Sequence, residues 1–345
     1  MINVTKGEIV LEARNGCEFE NDGVLNPACV EKDGVTHMFY RAVGKGNFST
    51  IGYCQIKNNK IIYRSDKPIL APEYRYESQG LEDPRITFLE GRYYMFYTAF
   101  DGLNAVVAYA VSNDLKKWEK KGLITPQISY DEAENIFRDS GVGEKYIYYE
   151  KIFRRDKSDQ VYLWEKDAML FPKKINGKYA LLHRVLPGIQ IAYFDDFDQL
   201  NQTFWKDYLK KLDNYLVLDP KYSFQNSYIG SGCVPIETND GWLLIYHSAE
   251  VDIKKGQVYH ASAALLDLDD PTKVIGLLPY PLFSPETEWE KKGVVNNVVF
   301  PTGAVVDQGK ILIFYGAADK VIGLKKIDLS NLLEELKKHE TKKTN

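Results

Sequence analysis

A strand, a tight turn on glycine and a second strand recur five times along this chain, and nothing else in it restricts the fold as much. The copies are DGVTHMFYRAV from Asp33, EGRYYMFYTAF from Glu90, NGKYALLHRV from Asn176, DGWLLIYHSAE from Asp240 and QGKILIFYGAAD from Gln308. Glycine at a tight turn between apolar, aromatic-rich segments is the sequence sign of a β-hairpin. Ahead of the turns lie NPACV, EDPRI, KDAMLF, GSGCVPI and NVVFPTGAV. Four of these five segments contain proline, which has no N–H for a sheet ladder and so marks strand starts or edges.

The turn glycines Gly34, Gly91, Gly177, Gly241 and Gly309 stand 57 to 86 residues apart. That spacing holds about four strands with their loops, the content of one propeller blade. The expected fold is therefore all-β, a five-bladed β-propeller over residues 1–328 with a short C-terminal helix. A two-sheet sandwich is the alternative, but it gives no reason for a fivefold recurrence. Helix is expected at FWKDYLKKLDNYL from Phe204, inserted between blades, and at LSNLLEELKKHE from Leu329, with Ser330 as its N-cap. Residues 329–345 are then this helix and a frayed tail. The stretch ISYDEAENIFRDSG from Ile128 reads as a loop.

Composition removes several classes of function. No apolar run approaches the roughly 18 residues of a membrane helix, so no membrane partner is expected. A net charge of −4 without a Lys/Arg stripe leaves no footprint for nucleic acid. Cys17, Cys29, Cys54 and Cys233 show no CxxC spacing, so neither a zinc site nor a disulfide framework is expected, and they read as buried thiols. No metal or cofactor is called for. MINVTKGEIVLEARNG lacks the parts of a secretory signal, which makes the cytoplasm the expected compartment.

First strands of propeller blades converge on a channel, so polar residues at their starts face a common cavity. This brings Asn26, Glu82, Asp83, Arg85, Lys166 and Asp167 to one mouth, and the following strands add Arg41, His183, Arg184, His247, Glu250 and Asp319. Carboxylates and cations without cysteine ligands suit acid–base chemistry on a polar substrate. Each residue also has an ordinary reading. Asp83 suits a strand cap before Pro84, Arg41 and Arg184 suit solvated strand ends, and His183 and His247 suit hydrogen-bonded core positions. Residue chemistry alone leaves a propeller enzyme and a glycan-binding module both open.

At these residues the chain resembles glycoside hydrolase family 130, the mannoside phosphorylases and β-mannosidases. The resemblance runs through NPA with its Tyr-Arg-Ala strand, GLEDPRIT, KDAMLFPKKINGKY with LHR, IGSGCVPI before GWLLIYH, and VVFPTGAV before FYGAADKVIGL. It implies an inverting reaction on a β-mannoside oligosaccharide, with Asp83 as general acid acting through a hydroxyl of the bound mannose. It further implies that Asn26, Arg41, Arg85 and Asp319 hold the sugar. Lys166, His183 and Arg184 resemble the phosphorylases, which use inorganic phosphate. The chain departs from them at Tyr228 and Glu237, where many phosphorylases have lysine. Two fewer cations and one added carboxylate favour water over a phosphate dianion. Hydrolysis is therefore expected, with Glu237 or Glu250 as base and the phosphorylase as alternative; that the substrate is a β-mannoside with β-1,2 linkages is what the resemblance implies.

Overall fold

Turn chemistry fixes the local geometry first. A computed structural model describes residues 2–154 and 161–340. In four of the five turns both central residues have left-handed φ: 54° and 73° at Asp33–Gly34, 49° and 79° at Glu90–Gly91, 50° and 80° at Asn176–Gly177, and 48° and 77° at Gln308–Gly309. Positive φ at both positions is the turn whose twist matches the strands it joins. The fifth turn differs. Thr238 pairs with Gly241, so Asn239 and Asp240 make the turn and Gly241 begins the strand.

The chain is mostly strand with few helices, and the strands form four sheets; the largest, of eight strands, divides at a single parallel bridge between Ser49 and Gly80, which leaves five antiparallel groups of similar plan. The first group orders Gly23–Lys32, Val35–Gly44, Phe48–Lys57 and Lys60–Arg64. Gly80–Leu89, Arg92–Phe100, Ala105–Ser112 and Glu119–Leu123 repeat that order in the second. The third uses Lys166–Leu170, Tyr179–Arg184, Ile189–Phe194 and Leu216–Leu218. In the fourth, Tyr228–Ser231 and Ile236–Thr238 share the first place, beside Gly241–Asp252, Gly256–Leu266 and Val274–Leu277. The fifth takes Val299–Asp307, Lys310–Ala317 and Val321–Asp328, and its fourth strand, Glu8–Leu11, comes from the start of the chain.

Packing follows from strands that are apolar on both faces. Leu243 and Ile245 enter a cluster shared with the fifth group, while Leu244 and Tyr246 enter one shared with the third. The run GWLLIY is therefore continuous rather than alternating, as expected for a strand buried on both sides. Three further clusters join the second group to the third, the first to the second, and the fifth back to the first.

A polar tie repeats inside this apolar packing. The tyrosine of the recurring second strand donates to a buried acid on a neighbouring turn: Tyr40 to Glu20 at 2.7 Å, Tyr97 to Glu77 at 2.7 Å and Tyr315 to Glu290 at 2.6 Å. In the fourth group Gln225 donates to Tyr246 at 2.8 Å. In the third group His183 takes the tyrosine position and bonds Glu165 at 2.9 Å and the Tyr208 hydroxyl at 2.7 Å. These acids also gather backbone N–H groups. Glu77 Oε2 accepts from the N–H of Glu73 and Tyr74, and Glu290 Oε2 from those of Glu286 and Thr287. Each tie fastens the turn to the second strand of its own group.

The helices depart from expectation in detail. Gln202–Leu209 begins on the Asn201 cap and is followed by a 3-10 turn, Leu212–Tyr215. The C-terminal helix is Leu329–Lys338, and Asp328 caps it by accepting from the N–H of Asn331 at 3.0 Å. Ser330, the expected cap, bonds Asp328 instead. The tail from 341 lies outside the described residues. The segment expected as a loop contains helix Tyr130–Arg138, capped by Ser129, and Glu144–Arg154 follows it. All four cysteines are free. Cys54 and Cys233 are buried, while Cys17 and Cys29 are partly exposed, contrary to the reading of four buried thiols.

The ties give a stability test. Glu77→Ala removes the carboxylate 2.6 Å from the Lys120 ammonium, which is 6% exposed and keeps as polar partners only the Ala71 carbonyl at 2.7 Å and the distant Glu73 carboxylate among the described residues, and removing one partner of a buried pair costs about 3 kcal/mol or more. Glu77→Gln, which copies Gln225, keeps an acceptor for the two N–H groups and is expected to cost less than half as much. Urea denaturation measures both, and equal losses would show that the tie is not what stabilises this turn.

Candidate active site

The first strands are kinked where the polar residues sit. Pairing with the second strand skips between Leu25 and Ala28, between Glu82 and Arg85, and between Lys166 and Met169. Each bulge holds one residue with left-handed φ: Asn26 at 49°, Asp83 at 50° and Asp167 at 57°. A bulge re-aims side chains beside a site, and asparagine and aspartate are the side chains best suited to this backbone region. Asp319, in the turn after Lys310–Ala317, is left-handed too, at 52°.

These kinks border a cleft of about 300 Å³ lined by Asn26, Arg41, Asp83, Lys166, Asp167, Arg184, Tyr228 and Asp319. Gln257, Tyr259, Val295, Val298 and Phe300 complete its wall. Glu82 is the electrostatic hub, 2.8 Å from Arg41 Nη2 and 3.1 Å from Lys166 Nζ. Burial opposes its charge, but Lys166 and Arg41 outweigh burial and hold the carboxyl below the usual range. Asp83 accepts from the Asn26 amide at 2.7 Å and stands 3.9 Å from Arg41. Gly316 allows this approach, because a Cβ there would overlap the Asn26 amide.

A second polar set faces the first. Asp167 lies 2.8 Å from Arg184 Nη1 and 3.6 Å from Arg85. Arg184 stacks over Tyr228, 5.2 Å from the ring centre, and the Tyr228 and Tyr259 hydroxyls share a short hydrogen bond. Arg184 Nε and Asn26 Oδ1 have no hydrogen-bond partner among the described residues.

Six expected site residues do not line the cleft; one of them, Glu82, holds Arg41 and Lys166 from behind it. Arg85 is fully buried and donates to the carbonyls of Gly232 at 2.6 Å and Asp83 at 2.9 Å, so it ties the second group to the fourth and braces Asp167. His183 serves the repeated tie described above. His247 lies buried against Phe300, with ring centres 4.2 Å apart, and accepts from Arg184 at 3.3 Å. Burial, then Arg184 and Arg85, push its pKa well below the ordinary value, so it is neutral. Glu237 sits at the far hairpin end of its group, paired with exposed Lys173 at 2.8 Å. Glu250 falls on the opposite sheet face from His247 and Tyr259, and bonds His260 at 3.0 Å. Strand parity could have shown this, since residues three apart point to opposite faces. Tyr259 and Phe300 were missed because aromatic residues are common throughout these strands.

Asp319 is the titrating group to test. Burial chiefly, with the Asp83 and Glu82 charges against the opposing Arg41, raises its carboxyl from 3.8 to about 6. A raised carboxyl pKa favours the folded state while protonated, so this contribution is full below about pH 3.8 and is lost as pH rises through about 6. Asp319→Asn is expected to gain stability over the parent by on the order of 1–3 kcal/mol between pH 4 and pH 7. Denaturant titrations across that range check it, and a constant difference would contradict the shift.

The described geometry has counterparts among known proteins. A family model described as beta-1,4-mannooligosaccharide phosphorylase, glycoside hydrolase family 130, matches residues 8–338. The 1,2-beta-oligomannan phosphorylase of Thermoanaerobacter sp. (strain X514) is 35% identical over 328 residues, covering 91% of this chain and 93% of its own. The beta-1,2-mannobiose phosphorylase of the same strain is 34% identical over 328 residues, covering 90% and 92%. The solved beta-1,2-mannobiose phosphorylase from Listeria innocua, in complex with beta-1,2-mannobiose, shares the fold at a TM-score of 0.68 and 23% identity, covering 91% and 92%. These names overturn the expected β-mannosidase. The physical error lay in the supposed base: Glu237 and Glu250 are outside the cleft, so neither repels phosphate nor activates water there. The chain belongs to glycoside hydrolase family 130.

Proposed function

We propose that this protein is a β-1,2-mannoside phosphorylase, cleaving a mannooligosaccharide with inorganic phosphate and releasing α-mannose 1-phosphate. The observation that carries the reading is the cleft's charge pattern: Lys166 and Arg184 border it together with the Tyr228 and Tyr259 hydroxyls. Forked guanidinium and point ammonium donors match a phosphate dianion. The names of the two relatives above 30% identity support the same reaction and linkage.

In this reading Asn26, Arg41 and Asp319 hold the terminal mannose. Phosphate, held by Lys166, Arg184 and Tyr228, attacks the anomeric carbon opposite the leaving oxygen. A C–O bond to phosphate forms as the glycosidic C–O bond breaks, which inverts the configuration. Asp83 supplies the proton to the leaving oxygen through a mannose hydroxyl. Asp167 and Arg85 position Arg184, while His247 accepts from it. We also propose that the five groups are the blades of a five-bladed β-propeller over residues 1–328. Support comes from the shared clusters that return from fifth group to first, and from the strand Glu8–Leu11 completing the last group. The helix Leu329–Lys338 then packs on that propeller through Leu332 and Leu336.

Two variants test the roles. Asp83→Asn is expected to lower kcat in the phosphorolysis assay about 10²–10⁴-fold, the range for a lost general acid. Arg184→Ala is expected to raise the KM for phosphate at least about 10-fold, as for a lost charged hydrogen bond of about 1.5–3 kcal/mol, with a smaller change in KM for mannobiose. If Arg184→Ala shifts the two KM values equally, phosphate is not bound at Arg184.

A further inference from the structure

A cavity of about 680 Å³, more than twice the volume of the catalytic cleft, shares no lining residue with it. It lies where helix Gln202–Leu209 and the turn Leu212–Tyr215 meet the third hairpin and the loop at Asp269 and Asp270 of the fourth group. Lys178 borders it and Arg184 borders the cleft. Six residues of the strand connecting them span about 20 Å at roughly 3.3 Å per residue. Nothing in the proposed reaction uses this cavity.

Its wall combines aromatic rings with hydroxyl-binding groups. Tyr208 and Tyr215 stack with centres 4.7 Å apart, and Phe204 lies 11° from parallel with Tyr208. Tyr193 also lines the cavity, and the hydroxyls of Tyr193 and Tyr215 have no hydrogen-bond partner among the described residues. Asp207, Asp269 and Asp270 line it with Lys178 and Lys211, and Lys210 pairs with Asp207 at 2.9 Å and Lys273 with Asp270 at 3.1 Å, so the charges of the wall are largely compensated, as suits an uncharged ligand. Aromatic faces take the C–H face of a pyranose, and carboxylates accept from pairs of neighbouring hydroxyls.

From this we infer that the cavity is a second, non-catalytic site for an uncharged oligosaccharide. Such a site would hold a long substrate chain beside the cleft that shortens it. The choice of a β-1,2-mannosyl probe rests on the proposed function, so β-1,4-mannotetraose and cellotetraose are included as probes independent of it.

Isothermal titration of Asp83→Asn with each tetrasaccharide, and crystals soaked with the same sugars, provide the test. At least one sugar is expected in the cavity, with two sites per chain where it also fills the cleft. Tyr215→Ala is expected to weaken cavity binding at least 10-fold and to leave kcat and KM for mannobiose unchanged when placed in the otherwise unaltered enzyme. Asp269→Ala, on an exposed loop, is expected to do the same without disturbing packed rings. Sugar in the cavity and none in the cleft would support this inference while contradicting the proposed reaction. Sugar in the cleft alone, no sugar in either place, or binding unaffected by both variants would overturn it.

Discussion

The cleft depends on one backbone constraint: three first strands must bulge and hold Asn26, Asp83 and Asp167 at left-handed φ. A left-handed residue other than glycine costs on the order of 1–3 kcal/mol, less for asparagine and aspartate, so neighbouring contacts must enforce it. They do so across groups. The Asn26 amide of the first group holds Asp83 of the second, Arg85 of the second reaches Gly232 of the fourth and Asp167 of the third, and Thr302 of the fifth donates to the Pro27 carbonyl at 2.8 Å. Breaking one contact therefore loosens several functional side chains together.

Away from the cleft, the same strands are kept in place by a different device. Two second strands place Tyr40 or His183 one residue before a side chain that lines the cleft, and a third places Tyr246 before His247, which lies behind it. Arg41 follows Tyr40, Arg184 follows His183 and His247 follows Tyr246. Because successive residues point to opposite faces, a tie at one fixes the aim of the next. The buried acids are stable there because they collect backbone N–H groups and a cation, as Glu77 does with Lys120.

Much of this was written in local sequence. The hairpin turns, the two-faced apolar strands and the polar residues at the first-strand kinks follow from glycine, alternation and proline within short windows. Asp83 could be picked out because Asp-Pro-Arg interrupts an otherwise apolar strand. The tyrosines of the ties also recur visibly, in FYR, FYT, IYH and FYG. Their partners stand at similar distances, Glu20, Glu77 and Gln225 lying 20, 20 and 21 residues before their tyrosines and Glu290 25 before its own, but in segments of unlike sequence. Helix Tyr130–Arg138 was announced by Ser129 and Glu132, three residues apart, a start signal masked by the polar run around it. The misjudged residues share one cause. Hairpin position keeps Glu237 from the cleft and strand parity keeps Glu250 from it, and neither is read from a residue's charge.

That error also explains why water was favoured over phosphate. Without a carboxylate base from those two positions, the cleft offers Lys166, Arg184 and paired tyrosine hydroxyls beside Asp83, an arrangement suited to an anionic nucleophile. The most direct test follows β-1,2-mannobiose by ¹H and ³¹P NMR with and without inorganic phosphate. Phosphate-dependent cleavage giving one α-mannose 1-phosphate per mannose released is the predicted result. Release of free mannose at the same rate without phosphate would contradict it.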